Sequence, residues 1–155
     1  MKNRKALFLL TLTLTTVIVI IIMNSMAQRT VYVRPGSAAK PGQHKWALII
    51  GVNNYIEPIN DLNYAVSDAQ SVYRVLVDSE FGGFQEDKVK LLTDSSGERP
   101  TRRNILKALK LIESVADDDD TVFIFFSGHG IEEGGRSYFL PIDADVSILA
   151  DTAIP

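Results

Sequence analysis

The sequence predicts an α/β domain built on a mainly parallel sheet, and three observations predict it. Short continuous apolar runs, the first ending in glycine, read as strands buried on both faces. Between them lie stretches with apolar residues at helical spacing. The two kinds of segment alternate, and buried strands joined through helices imply right-handed crossovers in one parallel sheet.

Trp46-Ala47-Leu48-Ile49-Ile50-Gly51 is the first such run. Val52 to Asn63, rich in asparagine and broken by Pro58, reads as a loop. Ala65 to Val77 carries Ala65, Ala69, Val72, Tyr73, Leu76 and Val77 on one helical stripe, and Gly82-Gly83 falls in the turn that follows. Lys88 to Thr93 is a second strand and Asp94 to Pro100 a polar loop. Thr101 suits an N-cap, with Ile105, Leu109, Ile112 and Ala116 on one face of the next helix. The acids Asp117–Asp120 oppose the helix dipole and should end it. Thr121 to Phe126 is the strongest strand, and Tyr138 to Ile142 a short fourth one.

Ahead of this domain the composition changes. Lys2, Arg4 and Lys5 precede an apolar run from Ala6 to Met23 that is interrupted by four threonines, and Ser25-Met26-Ala27 supplies small residues for cleavage before Gln28. Residues 1–27 are therefore expected to be a signal peptide, with an uncleaved membrane anchor as the alternative. Either way the domain is expected to be exported, secreted or periplasmic, and bound to a membrane only if the segment is retained. Residues 28–43, with Pro35, Gly36, Pro41 and Gly42, read as a linker, leaving 44–155 as the folded part.

The whole chain has 16 basic and 19 acidic residues; without Lys2, Arg4 and Lys5 the remainder has 13 against 19, a net charge of −6. A mildly acidic body lacks the basic patch of a nucleic-acid binder. There is no cysteine, so the chain offers neither disulfide nor thiolate. The acidic groups Asp117–Asp120, Glu132-Glu133 and Asp143/Asp145 lack the ligand spacing of a calcium loop and read as solvated segments; no cofactor is expected, calcium being the alternative. One glycine in Gly51-Val52-Asn53-Asn54-Tyr55 is too few for a phosphate-binding loop, which argues against a flavodoxin-like cofactor binder.

In a parallel sheet, ligands bind beyond the carboxyl ends of the strands. Two loops lie there, residues 52–64 and 127–137, the second beginning Ser127-Gly128-His129-Gly130. A histidine between glycines has little side-chain cover, and an imidazole ordinarily exchanges its proton near neutrality. The N–H of Gly130 could point at a developing oxyanion.

Four blocks, Ala47 to Tyr55, Leu62 to Ala69, Phe123 to Gly130 and Tyr138 to Asp145, together resemble the large-subunit region of caspase-like peptidases, in particular the bacterial caspase-like and metacaspase branch. The resemblance covers residues 44–155 and implies the amino-terminal part of a caspase-like three-layer sandwich. It implies a Cys–His dyad hydrolysing peptide bonds, with His129 as the catalytic histidine and Gly130 as an oxyanion-hole residue. It also implies a peptide or protein substrate and pairing with a carboxy-terminal subunit. The family's cysteine follows its histidine by about 50 residues, whereas 26 residues follow His129 here. The expectation is thus a histidine-bearing portion truncated before its cysteine and inactive alone. A non-catalytic peptide-binding or regulatory module with the same fold is the alternative.

Caspases that cut after aspartate carry an arginine ahead of the first helix. Between Gly51 and Asp68 this chain has no Arg or Lys, but has Glu57, Asp61 and Asp68. Asp68 and Ser127 match residues lining the metacaspase pocket for basic side chains, which implies cleavage after Arg or Lys.

Overall fold

The structure is a computed structural model that describes residues 43–56 and 58–155. The expected signal segment 1–27, most of the expected linker and Glu57 lie outside the described residues. No helix among the described residues is long and apolar enough to cross a membrane.

The first strand, β1 (Lys45–Gly51), is buried from Ala47 onward. It is the middle of a three-stranded parallel sheet in the order β2-β1-β3, with β2 at Val89–Thr93 and β3 at Thr121–Ser127. Residues Glu86–Lys88 form a single 3-10 turn, so the second strand starts one residue later than the sequence suggests. Parallel pairing sets Gly51 beside both Thr93 and Ser127, which brings the carboxyl ends of all three strands to one edge.

Because side chains alternate along a strand, β1 feeds two cores. Leu48 and Ile50 join Leu92 and the inward face of helix α2 (Arg102–Val115): Ile105, Ala108 and Ile112. Ala47 and Ile49 join Phe84, Phe125 and Ala69 of helix α1 (Ala65–Val77). The result is three layers, helix on sheet on helix, as expected for a caspase-like α/β fold. Thr101 caps α2 as its position predicts, its side chain accepting Asn104 N–H at 3.2 Å. Among the described residues β3 has one ladder partner, and its Val122 and Ile124 are exposed.

Two expectations need correction. The segment after β3 is not a loop up to residue 137. Gly130–Glu133 (β4) and Arg136–Phe139 (β5) form a separate antiparallel hairpin, turned by Gly134 and Gly135 at φ 60° and 75°, the left-handed geometry a two-residue hairpin turn needs. The strand near the end is therefore Arg136–Phe139, not Tyr138–Ile142. Pro141 has no N–H to offer a ladder, and Leu140 and Ile142 are buried in two different clusters. A last short helix, α3, spans Leu149–Thr152, after which Ile154 exchanges both backbone hydrogen bonds with Phe139.

The acids Asp117–Asp120 form a solvated turn as expected, with Asp117, Asp118 and Asp119 exposed. Asp120 is engaged within it: its carboxylate accepts His44 N–H at 2.7 Å, Trp46 Nε1–H at 2.9 Å and Asp117 N–H at 3.1 Å. Asp143 accepts the N–H of Arg102 at 2.8 Å, capping α2 from a distant segment, and Asp145 accepts Ser147 N–H at 2.8 Å. These carboxylates are engaged by backbone donors. Among the described residues no group of three or more His, Asp or Glu side chains could hold a metal ion.

Candidate active site

The site forms where the loops leave the carboxyl edge of the sheet. Its geometry starts with Gly51. A Cβ built there would lie 2.6 Å from Ala65 O, 2.7 Å from Ala69 Cβ and 3.0 Å from Val66 Cα. Only a glycine lets the first turn of α1 press onto the end of β1. Since Ser127 is the register neighbour of Gly51, this contact carries Asp68 onto Ser127. The hydroxyl of Ser127 donates to Asp68 Oδ2 at 3.3 Å, and Ser127 itself is 5% exposed. Two residues that are far apart in sequence, and that the resemblance assigned to one pocket, are thus in contact.

His129 stands two residues further on. Its backbone N–H donates to the hydroxyl of Tyr55 at 2.8 Å, and its Nε2 lies 2.7 Å from the backbone oxygen of Asn60. A carbonyl oxygen can only accept, so Nε2 of the neutral ring carries the hydrogen. That leaves the Nδ1 lone pair as the basic site. An imidazole with its tautomer fixed by a second acceptor is the arrangement used to take a proton from a nucleophile and pass it to a leaving group.

Gly130 is the first residue of β4 and faces Phe139 in the hairpin register. Phe139 spends both its N–H and its C=O on Ile154. Antiparallel pairs alternate between bonded and non-bonded positions, so Gly130 and Phe139 are a non-bonded pair and the N–H of Gly130 points away from β5. Gly128 is required for a different reason: a Cβ there would meet the Phe126 ring at 2.8 Å and the Tyr55 hydroxyl at 3.0 Å. The Ser-Gly-His-Gly run therefore places a buried hydroxyl, a close approach, an imidazole and an outward N–H in four successive residues.

The loops after β1 and β2 contribute residues to which the sequence assigned no role. Asn53 accepts the N–H of Val66 through its Oδ1 at 3.1 Å, capping α1 from outside, since Tyr64 at the N-cap position supplies no side-chain bond. Asp61 accepts Tyr55 N–H at 3.3 Å and Asn54 Nδ2–H at 3.1 Å. Asp94 Oδ2 accepts the N–H groups of Asn53 at 2.9 Å and Asn54 at 2.8 Å. Burial pushes the Tyr55 phenol above its ordinary pKa; the hydrogen bond from His129 pulls the other way, and the charge of Asp94 adds to the rise. Tyr55 stays neutral across the physiological range, as a residue accepting a backbone hydrogen bond beside a histidine should. The available signal for Tyr55 was its place in the Asn-Asn-Tyr run directly after the first strand.

The three-layer α/β sandwich on a parallel sheet is consistent with a caspase-like fold, and His129 and the Asp68–Ser127 contact lie at the carboxyl edge of that sheet. The sequence profile of the family described as Caspase domain matches residues 44–155. The chain belongs to the caspase-domain family. It is similar to metacaspase-1 of Schizosaccharomyces pombe, 37% identical over 86 residues, which are 54% of this chain and 20% of that protein. It is similar to metacaspase-6 of Arabidopsis thaliana, 40% identical over 88 residues, 56% of this chain and 23% of that protein. A longer alignment, 28% identical over 138 residues, joins 77% of this chain to 30% of metacaspase-1 of Eremothecium gossypii. The chain thus spans a fifth to a third of the length of these curated relatives.

Proposed function

We propose that this chain is the histidine-bearing portion of a caspase-like cysteine endopeptidase that cleaves after Arg or Lys. One observation carries the catalytic half of the proposal: Nε2 of His129 is held by Asn60 O, which leaves Nδ1 as a base at the sheet edge. In the reaction Nδ1 takes the proton of a cysteine thiol, and the thiolate attacks the scissile carbonyl carbon. The N–H of Gly130 stabilises the resulting oxyanion. The imidazolium then protonates the departing amine as the peptide C–N bond breaks, leaving an acyl-thioester that water hydrolyses. The residues given hold no cysteine, and the proposal assigns the thiol to a carboxy-terminal segment or subunit.

The Asp68–Ser127 pair supports the choice of substrate. A half-buried carboxylate steadied by a hydroxyl at the mouth of the edge is matched to a guanidinium or ammonium. Titration of the chain with agmatine tests this directly: binding is expected, and is expected to be lost in Asp68→Asn. The activity is tested by completing the chain with a cysteine-bearing segment and offering fluorogenic peptides that differ only in the residue before the scissile bond. Preference for aspartate there would overturn the proposal.

Residues 1–27 support export of this domain, with cleavage before Gln28. Mass spectrometry of the mature amino terminus decides the point: an intact Met1 on membrane-bound protein would overturn cleavage.

A further inference from the structure

The loop after β1 grips His129 at two points. Asn60 O takes the ring, and the Tyr55 hydroxyl takes the backbone N–H. The Tyr55 ring also lies against the imidazole, 5.3 Å between centroids at an angle of 42°. Tyr55 is itself fixed from three directions. Asp61, next to Asn60, accepts its N–H at 3.3 Å. Asp94 at the end of β2 holds the two residues before it, and Ile56, the residue after it, donates to Ile142 O at 3.0 Å. Gly128 leaves room for the hydroxyl to approach, since a Cβ would sit 3.0 Å from it. A side chain so constrained imposes its geometry on its partner at little entropic cost when the site is used.

We propose that Tyr55 is the positioning residue of His129. Its hydroxyl fixes the histidine backbone and its ring forms one wall for the imidazole, so that Nε2–H stays on Asn60 O and Nδ1 faces the reacting group. The consequence for proton transfer rests on the role proposed above for His129; the positioning does not need turnover to be observed. Tyr55 touches no reacting atom in this scheme and acts only through the histidine.

The test uses the full chain labelled with 15N-histidine. Its two histidines give His44 as an internal reference, bonded through its backbone to Asp120 and remote from Tyr55 in its contacts. In the unsubstituted protein the His129 amide should exchange slowly and its ring nitrogens should report the Nε2–H tautomer. Tyr55→Phe keeps the ring but removes the acceptor. Losing one hydrogen bond of about 1 kcal/mol should speed exchange of the His129 amide about fivefold and move its ring shifts toward a mixture of tautomers, with His44 unmoved. Tyr73→Phe removes a hydroxyl that bonds Glu86 instead and should leave His129 as it was. Wild-type exchange and ring shifts in Tyr55→Phe would overturn the proposal. If that variant does not fold, the unsubstituted chain decides: an unprotected His129 amide, or a ring in the Nδ1–H form, overturns it, whereas a protected amide with Nε2–H upholds it. Failure to cleave peptides after Arg or Lys would sink the proposed substrate and leave this result untouched.

Discussion

Trp46 Nε1–H donates to Asp120 Oδ2 across 2.9 Å, tying the start of the central strand to the turn that launches its neighbour. The same carboxylate holds His44 N–H and Asp117 N–H. These donors favour the charged form: the His44 N–H foremost, then the Trp46 indole, hold the Asp120 carboxyl below its ordinary value. A group whose folded pKa is depressed contributes stability that is present above the unfolded pKa, about 3.9 for aspartate, and that is lost as pH falls through the folded value. Asp120→Asn should therefore melt below wild type near pH 7, and the gap should close as pH drops below about 4. Thermal melts of both proteins across that range provide the measurement; a gap that ignores pH would show that the ionised form contributes nothing.

Two glycines separate the scaffold from the surface. A Cβ on Gly51 would enter the backbone of α1, 2.6 Å from Ala65 O, whereas a Cβ on Gly97 would meet nothing within 4 Å. Overpacking of a tight contact costs about 1–3 kcal/mol, and an open surface site responds within about 0.5 kcal/mol. Urea denaturation should place Gly51→Ala in the first range and Gly97→Ala in the second. Equal midpoints for the two variants would mean that α1 can move away from β1 without loss.

The elements that form the sheet and its two helices were legible because burial imposes a period on them. β1 is an unbroken apolar run because both of its faces are covered, and α1 begins at Ala65 and ends at Val77 where its stripe does. β4 was illegible because all four of its residues are exposed, so no alternation marks them. The site divides the same way. Asp68, Ser127, His129 and Gly130 stand in runs that resemble a family, and the fold brings Asp68 onto Ser127. Asn60 acts through a backbone carbonyl, which no side-chain identity encodes. Tyr55 and Asp94 accept from main-chain N–H groups alone, and Asp61 from one main-chain N–H besides the Asn54 amide, so their specificity lies largely in the loop path and not in complementary side chains. The hydrogen bonds of Asp120 were hidden for the same reason: two of its three donors are backbone groups.

The Asp68–Ser127 bond is long for a hydroxyl donor, at 3.3 Å, and its loss should be mild. Ser127→Ala should lower stability by about 1 kcal/mol or less. It should weaken the proposed agmatine binding by less than about tenfold, a difference of about 1.4 kcal/mol, because the charge proposed to attract the ligand remains. Asp68→Asn removes the charge and should abolish binding at concentrations where the serine variant still saturates. Calorimetric titration of the two variants side by side distinguishes a pocket built around the carboxylate from one built around the hydroxyl.

Asp94 offers the sharpest test of how the first-strand loop is held. Its Oδ2 accepts both Asn53 N–H and Asn54 N–H, while its Oδ1 is buried and has no hydrogen-bond partner among the described residues. Asp94→Ala leaves two donors without their acceptor, at about 1–3 kcal/mol for each one that stays buried. Asp94→Asn can keep its carbonyl oxygen where Oδ2 was and turn its amide nitrogen toward the position of Oδ1. It retains both bonds, though without the extra strength of a charged acceptor, and should cost about 1 kcal/mol. Denaturation should therefore rank wild type above Asp94→Asn and Asp94→Ala well below. The His129 amide, reached through Asn54 and Tyr55, should lose protection in the alanine variant and keep most of it in the asparagine one. If the two variants behave alike, the carboxylate holds the loop by its charge, and the pair of directed hydrogen bonds is not what sets the position of Tyr55.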